Sequence, residues 1–249
     1  MAKGLESLEG MEYPGRAIIL GKSNSNLQTA VYILTGRSTS SQARILVEKE
    51  RDGIYTQPLD IKKIERPDLL IYPSILFNSE GVAISNGQQT KSINELMDGF
   101  YMSSKERPSE ILAKALRDWT YEDDKPNYTP RISGCLMGGN AGMAALAILK
   151  QGYNCTTTDI FEFGTSRGKG KLIATYTGEN KDPLPSFEGV PLAVELPGDS
   201  AKEIAENIYN ALAPKNPAKD FRVSVAAVIL DLIITNNSEV YIKNRHETE

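Results

Sequence analysis

Histidine and cysteine are nearly missing from this chain, and their scarcity excludes more chemistry than any overall composition does. The only histidine is His246, set in the polar tail NRHETE, where solvent titration is expected. That argues against a Ser-His-Asp or Cys-His catalytic unit. Cys135 and Cys155 are too few for a disulfide framework or a zinc site of the usual kind, and both read as small buried thiols. Long apolar runs are also lacking. The best, VSVAAVILDLII at 223–234, is shorter than the roughly 20 residues of a membrane helix and contains Asp231. The opening MAKGLESLEGMEYPG has no apolar core of a signal peptide. Basic excess is absent too, with 28 Lys and Arg against 32 Asp and Glu and a net charge of −4. Non-specific nucleic-acid binding is therefore not expected. These absences point to a cytoplasmic protein without membrane or nucleic-acid partners. Its chemistry falls to Arg, Lys, Tyr, Asp, Glu, Asn, Ser and Thr.

What is present reads mostly as strand in the first third. GRAIILGK (15–22), QTAVYILT (28–35), ARILVEKE (43–50) and DGIYTQPL (52–59) are rich in β-branched residues and bounded by turn formers. DLLIYPSIL (68–76) and GVAISN (81–86) read as a further hairpin. Helical spacing follows in TKSINELMDGF (90–100) and SEILAKALRDW (109–119), the latter with Pro108 and Ser109 as start signals. RISGCLM (131–137) and MAALAILK (143–150) flank the turn GGNAG, and the second of them fits a strand or a helix equally well. TDIFEFGT and RGKGKLIATYTG continue as strands, 200–213 keeps helical period, and FRVSVAAVILDLI and SEVYIKN close the pattern. Helices come in clusters and not after every strand, so a doubly wound parallel sheet is excluded. The expectation is an α+β layered fold with helices on the outer faces of stacked, mainly antiparallel sheets. One domain is the economical reading over 1–249, with 1–12 as a leader, 13–243 as the domain proper and 244–249 as a polar tail.

Several short stretches carry candidate chemistry. TGRSTSSQAR (35–44) frames four small hydroxyl residues, Ser38 among them, between Arg37 and Arg44. Guanidinium forks and short donors suit an anion such as phosphate, although a solvated hairpin loop has the same composition. YPGR sets Arg16 at the head of the first strand. IYPSI holds Tyr72 in mid-strand before Pro73. In SNGQQT, Asn86 and Gly87 precede a helix start, either as a tight turn or as an anion or carbonyl site. NYTPRISG puts Arg131 at the first position of a strand. YEDD offers Glu122, Asp123 and Asp124 as acid–base groups or as loop surface, and GTSRGKGK is either a phosphate-facing loop or a hairpin tip.

Taken in order and at these intervals, YPGR, TGRSTSSQAR, IYPSI, SNGQQT and YTPRISG resemble the archaeal-type IMP cyclohydrolases and their bacterial relatives. The resemblance is strongest over 13–134 and continues more faintly to about 230. It implies a four-layer αββα, Ntn-hydrolase-like fold, and closure of the purine ring of 5-formamidoimidazole-4-carboxamide ribotide to IMP with loss of water. The implied partner is that small purine ribotide, no cofactor or metal is implied, and the sequence leaves open whether the chain forms a homo-oligomer. Carried over by motif, Tyr72 would transfer a proton or polarise the formyl group. Arg37 and Arg44 would hold the phosphate or the reacting oxygens. Arg16, Ser38, Asn86, Gly87 and Arg131 would bind substrate, and Glu122 or Asp124 would act as base.

The pattern departs from the family in places. Tyr128 is inserted in NYTPR, which shifts YEDD by one residue, and Gln88 and Gln89 stand where some relatives carry His. The leader and the segment 179–199 look like additions. Two other functions fit the same residues: an Ntn-like amide hydrolase, which needs an exposed nucleophile such as Cys135 freed by cleavage after Gly134, and a purine-nucleotide-binding relative without catalysis.

Overall fold

The computed structural model describes residues 4–49, 52–60, 62, 67–98, 106–138, 142–231 and 237–246. Its stretches rich in aliphatic and β-branched residues form two sheets, and every pair of neighbouring strands runs antiparallel. The six-stranded sheet contains β1 (Arg16–Lys22), β2 (Gln28–Thr35), β10 (Lys169–Ala174), β11 (Leu192–Glu195), β12 (Arg222–Asp231) and β13 (Asn237–Asn244), in the order β11-β10-β1-β2-β12-β13. The seven-stranded sheet runs in chain order through β3 (Arg44–Lys49), β4 (Gly53–Pro58), β5 (Pro73–Asn78), β6 (Gly81–Ser85), β7 (Arg131–Met137), β8 (Met143–Gln151) and β9 (Thr156–Gly164). The longer helices are α4 (Gln89–Asp98), α5 (Pro108–Ala115) and α6 (Ala201–Ala211). Single turns form α1 (Glu6–Glu9), α2 (Thr39–Gln42) and α3 (Pro67–Leu70). No helix among the described residues is long and apolar enough to cross a membrane.

Period-two alternation explains the layering of the seven-stranded sheet. Ile132 and Leu136 of β7, with Val82 and Ile84 of β6, join one apolar cluster with Ile18 and Leu20 of β1 and with Tyr32 of β2. The intervening residues Cys135, Ala83, Ala145 and Ala147 face the other way, into a cluster with Ile93 and Met97 of α4 and Ile111 and Leu112 of α5. Gly134 of β7 faces Leu20 of the other sheet. A Cβ there would sit 2.8 Å from Ile84 Cγ2 and 2.9 Å from Leu20 Cδ1, so a side chain would force them apart. On the six-stranded sheet, α6 packs against β12 and β13 through Ile204, Ala205 and Ile208. Its start is fixed by the reciprocal Ser200 and Glu203 cap.

Several sequence expectations need correction. DLLIYPSIL is not one strand: α3 occupies Pro67–Leu70 and β5 begins at Pro73. Tyr72 lies at the joint, its N–H donating to Thr56 Oγ1 at 2.8 Å and its carbonyl accepting from Thr56 N–H at 3.0 Å. The register slips between Ile54 and Tyr55, where Pro73 cannot donate to the ladder. The stretch 36–43 is not a hairpin tip, because it crosses from one sheet to the other, whereas 165–168 makes the crossing between β9 and β10 with a tight turn in which Lys169 N–H donates to the Ser166 carbonyl at 3.0 Å. MAALAILK is strand β8, and the segment 179–199 contains β11 at the edge of the six-stranded sheet. Cys155 is exposed, not buried, whereas Cys135 is buried as expected. In GGNAG, residues 139–141 lie outside the described residues, as does Phe100.

The leader is more than an appendage. Leu5 and Leu8 are fully buried in the cluster shared by the sheets, and α1 packs against α6. Leu8→Ala should therefore lower the unfolding free energy by about 2–5 kcal/mol, read from urea unfolding curves. A loss below about 0.5 kcal/mol, the range of surface substitutions, would show that the leader is dispensable packing.

Candidate functional site

Arg16, Arg44 and Arg131 are each the first residue of a strand. Two of them meet a single carboxylate. Arg16 Nη2 donates to Glu122 Oε1 at 3.1 Å and Oε2 at 3.3 Å, and Arg131 Nη1 lies 3.7 Å from the same Oε1. Glu122 is 4% exposed and is held at the backbone by its N–H donating to the Thr129 carbonyl at 2.9 Å. Burial pushes its carboxyl above the ordinary value, against the pull of the Arg16 and Arg131 charges. Arg131 is aimed by the Thr120 carbonyl, which accepts from Nε at 2.8 Å, by Gln89 Oε1 at 3.3 Å from Nη1, and by the Trp119 ring, 5.1 Å from its guanidinium carbon. Arg16 Nε is buried and has no acceptor among the described residues.

Tyr72 and Arg44 border this pair. The buried Tyr72 hydroxyl lies 2.8 Å from the hydroxyl of Tyr32, which rises from the middle of β2. Arg44 is 1% exposed. Its Nε donates to the Ser41 carbonyl at 3.0 Å and its Nη1 to the Leu70 carbonyl at 3.4 Å, and among the described residues no carboxylate pairs with it. The charges of Arg16 and Arg44 both act on the Tyr32 phenol, which burial nonetheless raises well above its ordinary range.

The other sequence candidates divide into framework and periphery. Asn86 is fully buried and its amide is committed: it donates to the Pro130 carbonyl at 2.8 Å and accepts from Ile132 N–H at 2.9 Å and Gln89 Nε2 at 3.1 Å. It clamps the end of β6 to the start of β7. At Gly87, a Cβ would meet Arg131 Nη1 at 2.6 Å, so the glycine makes room for that guanidinium. Asp124 accepts from Thr129 N–H at 2.6 Å and Thr129 Oγ1 at 2.5 Å, and the Thr129 hydroxyl lies 2.6 Å from that of Tyr176. Arg37 leaves the cluster and donates to the Lys181 carbonyl at 3.1 Å, with Asp182 at 3.9 Å. Ser38 is an exposed cap of α2, exchanging hydrogen bonds with Ser41. The sequence reading missed Tyr32, Gln89, Thr129 and Tyr176. For Tyr32 the available signal was one phenol in the otherwise aliphatic run AVYIL.

Two surface clefts lie apart from these arginines. One of about 420 Å³ backs onto Thr120, Tyr121 and Asp123, and one of about 280 Å³ lies between α1 and the end of α6.

The family of IMP cyclohydrolase-like proteins matches residues 13–231. An IMP cyclohydrolase of Methanocella arvoryzae is 27% identical over 199 residues, covering 80% of this chain and 86% of the relative. One of Methanothrix thermoacetophila is 24% identical over 200 residues, covering 79% and 85%.

The Glu122 environment makes a signed prediction. A carboxyl raised on folding binds its proton more tightly in the folded state, so its contribution to stability is complete below the unfolded value and is lost as pH rises through the folded one. From about pH 4 upward, wild type should therefore lose unfolding free energy relative to Glu122→Gln until the folded carboxyl is ionised. Urea midpoints at successive pH values test this. A pH-independent difference, or wild type gaining, would mean that the arginines outweigh burial.

Proposed function

The chain belongs to the IMP cyclohydrolase-like family, and we propose that it closes the purine ring of 5-formamidoimidazole-4-carboxamide ribotide, giving IMP and water. The observation that carries the site assignment is a charge imbalance in a buried place. Arg16 and Arg131 share one carboxylate, Glu122, and Arg44, whose charge reaches the same Tyr32 phenol as that of Arg16, has no carboxylate among the described residues, while Asp124 is taken up by Thr129. Buried charge is costly unless paired, so this excess favours an anionic ligand. A phosphorylated nucleotide whose formyl oxygen becomes negative during reaction supplies charge at both ends.

In the reaction, the carboxamide nitrogen attacks the formyl carbon and the new C–N bond forms as the carbonyl π electrons move to oxygen. A proton from the attacking nitrogen and one from the formamido nitrogen leave with that oxygen as water, and the ring C=N bond forms. Both reacting groups belong to one molecule, so holding them in near-attack geometry supplies much of the acceleration. We assign Arg131 and the Tyr72 hydroxyl to the developing oxyanion, with the unpartnered Arg16 Nε as a further donor. We assign Glu122 as the base, since it lies between Arg16 and Arg131 and burial raises its affinity for a proton, whereas Asp124 is turned to Thr129. Arg44 is the phosphate ligand, since among the described residues its charge is met only by carbonyls. Arg37 and Ser38 act at the rim.

The same reading extends to the fold and the setting. The facing sheets, with α4 and α5 on one and α6 on the other, support a four-layer αββα arrangement of the Ntn-hydrolase-like kind. The cluster common to both sheets supports a single domain over 13–243. A charged ribotide does not cross membranes unaided, which supports a cytoplasmic enzyme. Cys135 lies inside β7, fully buried, and burial pushes its thiol up, which disfavours the amide-hydrolase alternative.

Purified protein given the formamido ribotide should form IMP, followed by ultraviolet absorbance and chromatography. Saturable IMP binding without turnover would instead indicate a non-catalytic relative. Arg44→Ala should raise KM by about tenfold or more with a smaller change in kcat, as expected for an interaction shared by ground and transition states. Tyr72→Phe should lower kcat by roughly 10²-fold with little change in KM. Unimpaired kinetics in both variants would overturn these assignments.

A further inference from the structure

The phenol pair contains one more hydrogen than its own hydrogen bond uses. Tyr32 and Tyr72 bring two hydroxyl hydrogens, and a single 2.8 Å contact joins the two oxygens. Neither hydroxyl has another hydrogen-bond partner among the described residues, so one O–H is left to point elsewhere. Both side chains are buried, Tyr32 at 0% and Tyr72 at 2% exposure, which makes an undirected hydroxyl costly without a ligand. The surroundings indicate which hydroxyl points outward. The Tyr72 phenol is within electrostatic reach of both Arg16 and Arg131, the two arginines on Glu122, whereas the Tyr32 phenol is within reach of Arg16 and Arg44. Tyr72 therefore sits on the side of the reacting groups.

We propose that Tyr32 is a positioning residue for the ring closure: its hydroxyl donates to Tyr72 Oη, which turns the remaining Tyr72 hydrogen toward the formyl oxygen of the substrate. The inference rests on the cyclohydrolase reading above. Two hydroxyls donating in series polarise one another, so the outer donor strengthens as the oxygen it meets becomes negative. No covalent change occurs at either tyrosine. The middle of β2 gives Tyr32 little freedom, because Tyr32 is paired on one side with Ile18 of β1 and on the other with Ala226 of β12.

The test compares wild type, Tyr32→Phe, Tyr72→Phe and the double variant under steady-state turnover of the formamido ribotide, with thermal unfolding measured alongside. Tyr32→Phe should lower kcat about tenfold and leave KM within about twofold, since the lost hydroxyl acts only in the transition state. The double variant should have the kcat of Tyr72→Phe alone, because Tyr32 acts through Tyr72. Should Tyr32→Phe fail to fold, the double variant, which leaves neither phenol unpaired, still reports this equality. A kcat for Tyr32→Phe within about twofold of wild type with a lowered unfolding temperature would assign the hydroxyl to packing alone and overturn the proposal. Losses that multiply in the double variant would overturn it as well. Absence of turnover in wild type would overturn the cyclohydrolase reading and this inference together, and is thereby distinguished from failure of the inference alone.

Discussion

The arrangement depends on one buried carboxylate held between guanidinium groups from different sheets. Arg16 opens a strand of the six-stranded sheet, Arg131 opens a strand of the seven-stranded sheet, and Glu122 comes from the loop between α5 and β7. Taking three charges out of water is expensive, and their mutual attraction returns that cost only with close geometry and further hydrogen bonds. The further bonds are present: Thr129 receives the Glu122 N–H, and Thr120 and Gln89 fix the Arg131 fork. Such a cluster adds little net stability. Its effect is to make the positions of the two sheet ends and of the 120–129 loop interdependent.

Arg44 extends the same logic in the opposite direction. It is as buried as any core residue and has two backbone carbonyls in place of a carboxylate. The fold bears this destabilising arrangement through the apolar cluster shared by both sheets, into which even the short leader contributes Leu5 and Leu8. On the proposed reading an anion at the site would supply the missing charge, and ligand binding would then stabilise the site as well.

The segments outside the core pattern brace the crossing between sheets. Residues 4–12 precede the stretch matched by the family. Glu12 accepts from Asn180 Nδ2 at 3.2 Å and pairs with Lys219 at 3.0 Å, while Arg37 reaches Lys181 and Asp182. The leader, the crossing at 36–43 and the 179–199 segment thus form one connected rim beside the buried arginines.

Local pattern alone determined most of the strands, the three longer helices, the antiparallel character, and the strand-entry placement of Arg16 and Arg131, because period-two and helical spacing are properties of neighbouring residues, but it left MAALAILK open and did not find α3 or β11. Motif order alone brought out the family and most of the arginine, tyrosine and acidic candidates. Tertiary structure decided which of them meet. Arg37 and Ser38 read like Arg44 and Ser41 in TGRSTSSQAR, yet only Arg44 is turned inward, since that stretch crosses between sheets and does not close a hairpin. The partner of Tyr72 lies 40 residues away in another sheet, and the carboxylate of Arg16 lies 106 residues away. No spacing rule reaches that far, because such contacts are fixed by how two sheets stack and not by the repeat along either strand.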